Sequence, residues 1–286
     1  MRPASLWADA WRRLRGNRVA VACGAFLALL ALLCAAAGWL PGLPDPNAPD
    51  FALGAAAPSW RHWFGTDPLG RDLLARILFG GRISLLVALV ATLVSLVIGV
   101  SYGALAGYAG GKLDEAMMRF VDVLYSLPYL FLVILLLVFF SKSLIMLFVA
   151  LGLVQWLTMS RIVRGQVLSL KQQTFVEAAR ALGARDRRIV FAHLVPNTLG
   201  PVIVYATLTI PAVMLQEAFL SFLGLGVQPP DASWGVLVDE GRKLMTIFPW
   251  LVVFPGLALA ATLFALNFLG DGLRDALDPQ SRGEAR

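Results

Sequence analysis

Residues 174–197, TFVEAARALGARDRRIVFAHLVPN, hold a dense set of polar and cationic side chains between two long apolar runs. The chemistry open to such a stretch is docking rather than bond-making. Thr174 and Glu177 form a T-x-x-E capping box, which predicts a short helix from Phe175. Ala178, Ala179 and Ala181 give that helix a small-residue surface that another protein can approach closely. Gly183 stands where the helix needs a residue of positive φ to stop. A second short helix is expected after Asp186, running to a break at Pro196. Arg180, Arg185, Arg187 and Arg188 offer charge partners, and His193 is read as an anchor of the hairpin rather than an acid–base group. Two readings stand: a docking device, or an ordinary surface hairpin.

Other residues could do chemistry by type, and each carries a structural alternative. Asp67, Arg71 and Asp72 are either a catalytic or metal cluster or, the preferred reading, a local ion pair on a capped interfacial helix. In that helix Thr66 or Asp67 is the cap and Pro68 the first residue. Asp122 near the start of an apolar run is costly and prompts a functional reading; an ion pair with Arg119, one turn away, is preferred. Glu217 follows the kinking Pro211 inside another apolar run. It either contacts a translocated solute or hydrogen-bonds between helices, with the structural role slightly favoured. Gly99, Gly103 and Gly107 recur every four residues and form a face for close helix approach, within this subunit or across a pore interface.

Several activities are excluded. The only near match to a phosphate-cradling loop, Gly111-Lys112, is followed by Leu113 and has Ala106 in the leading glycine position, so the chain is not expected to hydrolyse ATP by itself. His62 and His193 are the only histidines, too few for a His-rich metal site, and neither lies at the depth an intramembrane Ser-His protease requires. No catalytic residue, bound cofactor or metal is expected. Aromatic-plus-basic clusters of a nucleic-acid platform and tandem repeats are both missing.

The elements that must position these residues are membrane spans. Hydrophobic residues make up 58% of the 286 and charged residues 15%, with a mean hydropathy of +0.74. Six apolar runs, at 19–40, 83–109, 120–140, 144–161, 198–223 and 248–270, can each cover a hydrocarbon core that takes about 20 helical residues. The fold class is therefore an all-α polytopic membrane protein of six transmembrane helices. The third and fourth runs are separated only by Ser141-Lys142-Ser143, a tight turn. Of the 24 Lys and Arg residues, only Arg61, Arg71, Arg76, Arg82, Lys142, Arg242 and Lys243 fall on one side of the membrane, where seven acids balance them. The rest collect on the other side, so the positive-inside rule gives N-in, C-in with 174–197 cytoplasmic. The net charge of +6 is thus a topology signal and not a nucleic-acid patch.

The chain divides accordingly. Residues 1–18 form a cytoplasmic interfacial helix with Trp7 and Trp11 on the inner leaflet lipid, and 19–40 the first span. Residues 41–82 form an external loop with a short amphipathic helix. Residues 83–270 form a five-helix core containing the cytoplasmic loop 162–197, and 271–286 a cytoplasmic tail. The basic start and Ala35-Ala36-Ala37 imitate a signal peptide, but the long n-region and spanning-length apolar run favour an uncleaved anchor. Leu33 spoils a lipoprotein box at Cys34. Cys23 and Cys34 lie about 16 Å apart along one helix, too far for a disulfide, and are read as packing residues.

The run Glu177-Ala178-Ala179, Gly183, Ile189 and His193-Leu194-Val195-Pro196-Asn197 resembles the EAA loop of ABC importer permeases. Phe64-Gly65-Thr66-Asp67-Pro68-Leu69-Gly70-Arg71-Asp72 resembles a motif of the dipeptide/oligopeptide/nickel group within that family. AGYAGGKLDEAMMRFVDVLYSLP, Leu220 to Gly226, Pro229-Pro230, Ser233-Trp234-Gly235 and Leu269 to Asp275 are similar to its oligopeptide branch. The likeness runs from Trp7-Ala8-Asp9-Ala10-Trp11-Arg12-Arg13 to Asp278-Pro279. It implies a type I, MetI-like permease core in a bacterial cytoplasmic (inner) membrane, paired with a second, homologous permease. It also implies two ABC ATPase subunits that carry ATP and Mg on the cytoplasmic side, and an external solute-binding protein resting on loop 224–247. The loop would insert into a groove of the ATPase through Glu177, Ala178, Ala179, Arg180, Gly183, Ile189, His193 and Pro196. Peptides, and oligopeptides foremost, are the implied solute; dipeptides, nickel chelates or another small solute are the alternatives. An ion-coupled secondary transporter is the weaker rival, because it wants inverted repeats and a midplane ion site.

Overall fold

The computed structural model describes residues 6–140 and 143–277, with side chains from Ala10 onward. The side chain of Trp7, the expected turn at Ser141-Lys142 and the closing Asp278-Pro279 lie outside the described residues. The regular structure within them is helical, apart from one bridge between Thr66 and Asp72.

Helix α1, Leu6–Gly16, carries Arg15 4.8 Å over the Trp11 ring. It stops at Asn17, whose Oδ1 accepts the Ala20 amide at 3.1 Å and so starts α2, Arg18–Ala36. Beyond Arg18, α2 carries no charge and leaves Val19, Phe26, Leu29 and Leu32 exposed, a face suited to lipid. Helix α3, Leu73–Ala109, is 37 residues long. At 1.5 Å per residue it reaches about 55 Å, against a hydrocarbon core of about 30 Å.

The start of α3 corrects the expectation of a separate short helix before residue 83. Asp72 is the cap, its Oδ1 accepting the Ala75 amide at 2.8 Å, and no break follows before the span. Thr66 and Asp67 do not cap it. The Thr66 hydroxyl donates to the Gly54 carbonyl and accepts the Ala56 amide. Asp67 Oδ1 accepts the amides of Leu69 and Arg71, which leaves Pro68 in a turn before the helix.

Helices α4, Gly111–Ser126, and α5, Tyr129–Phe140, occupy the expected third span. They are bent 86° apart, so among the described residues five helices are long and apolar enough to cross a membrane and this pair is the sixth only if counted as one. The cause is Pro128. Its ring disfavours helical geometry in the residue before it, and Leu127 is extended at ψ 139°.

Ser143 caps α6, Leu144–Leu170, through the Met146 amide. Next come α7, Thr174–Ala181, α8, Asp186–Arg188, a π-helical turn, Ile189–Leu194, and α9, Val195–Phe222. Helices α10, Trp234–Arg242, and α11, Trp250–Leu277, complete the described chain.

The glycine face of α3 serves packing inside this subunit. A Cβ on Gly99 would meet the Met159 side chain at 2.6 Å, and one on Gly107 the Arg164 carbonyl oxygen at 2.9 Å; one on Gly103 would overlap the Ser160 carbonyl oxygen. All three neighbours are on α6, so α3 and α6 approach backbone to backbone, as small-residue interfaces allow in apolar surroundings.

At one end of the bundle, called here the loop end, the connections before α3 and around α10 form a cover. Arg76, 3% exposed, donates to Asp67 at 2.9 Å and to Glu240 at 2.7 Å, and Arg71 donates to Asp67 at 2.6 Å. His62 contacts Asp72 at 2.8 Å. Asp67, Arg71 and Asp72 are therefore committed to ion pairs and caps. Among the described residues no three His, Cys, Asp or Glu side chains are grouped to hold a metal. Trp234 is fully buried, donating its indole N–H to the Ile77 carbonyl at 2.8 Å, and Phe64 stacks on Phe254 at 4.2 Å. Cys34 is buried and Cys23 half-buried, both free thiols.

Candidate docking hairpin

The opposite end of the bundle carries residues 174–197. Helix α7 begins one residue earlier than expected, with Gln173 at the cap and no side-chain cap bond. The Gln173 carbonyl accepts the Val176 amide at 3.0 Å and the Glu177 amide at 3.4 Å. Thr174 is already inside the helix, so the Thr174–Glu177 capping box does not form. The stop is as the sequence requires. Gly183 has φ +78°, the Ala184 amide donates to the Ala179 carbonyl at 3.0 Å, and the Gly183 amide to the Arg180 carbonyl at 2.9 Å. These two bonds are the Schellman pair that closes a helix on a left-handed residue.

Pro196 does not break the second helix. Upstream of it the chain widens into the π-turn, in which the Val195 amide reaches back five residues to the Val190 carbonyl. The Asn197 side chain donates to the His193 carbonyl at 2.6 Å. The turn therefore absorbs the amide that proline lacks, and α8 through α9 read as one apolar column of 37 residues. Single π-turns of this kind gather at functional positions.

The hairpin has a buried face and an open one. Val176, Ala179, Ile189, Val190 and Leu194 pack with Val163 and Val167 of α6, Ala104 of α3 and Val202 of α9. Ala179 and Ile189, expected at the docking contact, thus belong to the hairpin's own core: they fall on the faces of α7 and the π-turn that meet the bundle. Glu177, Ala178, Arg180, Gly183 and Pro196 are exposed, and His193 is half-buried. Leu182 is 88% exposed, at the apex beside Gly183. An apolar side chain at the tip of a polar hairpin is the kind of anchor that a pocket on a partner takes.

Polar contacts of the hairpin, and of Lys171 at the end of α6 just before it, reach α3. The Tyr108 hydroxyl donates to Asp186 at 2.5 Å, Arg180 lies 5.5 Å over the Tyr108 ring, and Lys171 donates to the Gly107 carbonyl at 2.8 Å. Arg164 grips Asp114 with two bonds, 2.5 and 2.7 Å, joining α6 to α4. Sequence reasoning passed over Tyr108, Lys171 and Leu182; Tyr108 was visible only as part of a motif, and its partners lie far along the chain. Replacing Tyr108 with Phe removes a hydrogen bond to a charged partner at an exposed site, about 1 kcal/mol. Amide hydrogen exchange across 180–188 is expected to rise about fivefold, with the spans unchanged.

The other candidate residues are elsewhere. Asp122 pairs with Arg161 of α6 at 2.7 Å, while Arg119 pairs with Glu115 at 3.2 Å. The expected Asp122–Arg119 pair is absent because Arg119 is taken by the acid one turn before it. Glu217, 2% exposed, accepts the hydroxyls of Ser221 at 2.7 Å and Ser233 at 2.6 Å. It joins α9 to the cap of α10, an inter-element hydrogen-bonding role.

The geometry has relatives. Residues 99–283 match the family model of the binding-protein-dependent transport system inner membrane component, and residues 5–58 match the N-terminal TM domain of oligopeptide transport permease C. The oligopeptide transport system permease protein OppC of Escherichia coli K12 is 51% identical over 280 residues, 97% of this chain and 92% of that protein. OppC of Haemophilus influenzae is 49% identical over 97% of this chain and 90% of its own length. The dipeptide transport system permease protein DppC of Bacillus subtilis is 47% identical over 96% and 86%. A solved inward-facing structure of the MetNI methionine ABC transporter aligns with TM-score 0.59 at 21% identity, covering 72% of this chain and 98% of the other. That likeness establishes the fold: the helices are arranged as in an ABC importer permease.

Proposed function

We propose, because this chain belongs to the binding-protein-dependent transport system inner membrane components, that residues 174–197 receive the mechanical input of an ATP-driven oligopeptide importer. The chain is a multi-pass inner-membrane permease subunit, and nucleotide hydrolysis resides in separate ATPase subunits of its complex. Its solute, in this reading, is an oligopeptide. The kinship with oligopeptide permeases along nearly all of the chain supports that choice, and the dipeptide relative keeps shorter peptides as a second reading.

The working parts follow from the geometry. Both termini and the hairpin face the cytoplasm, as the distribution of basic residues supports. Two ATPase subunits grip this hairpin and its counterpart on a homologous second permease. A solute-loaded binding protein rests on the cover around α10. ATP binding closes the ATPase pair, and the hairpin moves with the groove that holds Leu182. Its buried face and the Tyr108 and Lys171 contacts then pass the displacement to α3 and α6, which opens the path outward. Hydrolysis reverses the motion.

One observation carries the proposal: the hairpin is open on the face that bears Glu177, Ala178, Leu182 and Gly183, and locked to the bundle on the other. A Leu182→Cys variant, built without Cys23 and Cys34, tests the orientation. A membrane-impermeant maleimide is expected to label it in inside-out vesicles and not in intact cells. Labelling in intact cells would reverse the topology and end the docking reading.

A further inference from the structure

A cavity of about 280 Å³ lies in the crook of the α4–α5 bend, against α6 and α9. Its size is near the lower end of small-molecule pockets, about 300 Å³. Its polar lining is Tyr125, Tyr129, Gln155, Thr158 and Gln216, and no charged side chain lines it among the described residues. Two features mark it out within membrane-spanning helices. Gln155 of α6 donates to Gln216 of α9 at 3.0 Å. The Tyr129 hydroxyl is buried and has no hydrogen-bond partner among the described residues.

An unpaired buried hydroxyl forfeits its hydration without compensation, so a lone tyrosine hydroxyl at this depth is expensive unless something visits it. The glutamine pair is likewise unfinished. After its single bond, one carboxamide oxygen and three N–H positions remain, and two apolar residues could replace the pair at little cost to packing. A peptide amide presents one donor and one acceptor, which is what these side chains still offer. The absence of charge leaves solute side chains unselected.

We propose that this cavity is a station on the translocation path which holds the main-chain amides of the passing peptide through Gln155, Gln216 and Tyr129. The inference rests on the peptide reading above. It adds the site in this subunit and the group recognised there: backbone rather than side chain.

The test uses the importer purified with its second permease, ATPase subunits and binding protein in liposomes, and reads labelled tri- to penta-alanine imported per ATP hydrolysed. That ratio separates the path from delivery and from hairpin coupling. Gln155→Leu with Gln216→Leu is expected to keep solute-stimulated hydrolysis and lower the ratio about tenfold, equivalent to one or two amide bonds. An unchanged ratio overturns the site. Should that double variant also lose hydrolysis, Tyr129→Phe decides. It removes only the unpartnered oxygen, and a structural role predicts no loss, whereas the path role predicts a ratio lower by about fivefold. A wild-type ratio in Tyr129→Phe overturns the proposal. If the wild-type assembly imports none of these peptides while importing another solute, the substrate reading falls and this inference falls with it.

Discussion

Gly103→Val will cost the protein its folded core. The position on α3 faces the backbone of α6, where a Cβ would overlap the Ser160 carbonyl oxygen and come within 3.0 Å of its Cα. Main-chain atoms in the middle of a long helix have no rotamer to change, so the two helices must part along their shared seam. Overpacking of this kind costs about 3 kcal/mol or more, a large share of the stability of a typical domain. Thermal unfolding in detergent measures it, and severe loss will show as material that cannot be extracted folded. Two controls grade the result. Gly99→Ala adds a single carbon against the Met159 Cβ at 2.6 Å and the Trp156 carbonyl oxygen at 3.0 Å, a smaller overlap than that of valine at 103, and is expected to lose less. Gly165→Ala meets nothing within 4 Å and should lie within about 0.5 kcal/mol of wild type. If Gly103→Val unfolds like Gly165→Ala, the α3–α6 seam is not where the structure places it.

Gly183→Asp will leave the protein inserted and folded while removing solute-stimulated ATP hydrolysis in the assembled importer. A Cβ there meets no atom within 4 Å, so the only local cost is the positive φ of +78°, about 1 kcal/mol for a residue such as Asp that visits this region. The functional cost is larger. Beside exposed Leu182, the new carboxylate would have to lose water wherever the apex enters a groove, and an unpaired buried charge costs several kcal/mol. Hydrolysis stimulated by loaded binding protein is expected to fall more than about tenfold, and basal hydrolysis to persist. Gly183→Ala carries at least that backbone strain without charge and should keep most of the stimulation. Equal stimulation in the wild type and the aspartate variant would mean that the apex is not gripped.

The spans were legible because an apolar run of sufficient length has few other stable states in a bilayer, whereas their ends depended on local competition. Asp72 out-competed Thr66 and Asp67 as a cap because those two groups were already bonded within the preceding loop. Pro128 split a run whose hydropathy alone reads as continuous. In the hairpin, the stop at Gly183 could be read from one residue, since few others accept its φ. The start could not, because Thr174 and Gln173 compete for the same position. Partners far apart in sequence were invisible: Asp122 with Arg161, Tyr108 with Asp186, and Lys171 with the Gly107 carbonyl. The exposed and buried halves of Glu177-Ala178-Ala179 likewise became distinct only once α7 lay against α6.

The widened turn at Ile189–Leu194 has a mechanical consequence. A proline in an ordinary helix is a weak joint, and a load applied beyond it is spent in bending. Here the extra residue in the turn moves the bond that Pro196 lacks out of the load line, so the stretch from Asp186 to Gly200, ahead of Pro201 and Pro211, carries a push as one piece. Restoring an ordinary α-turn, by deleting one residue from this stretch, would reintroduce a flexible elbow between the hairpin apex and the apolar part of α9, so that a push at one end would no longer arrive at the other.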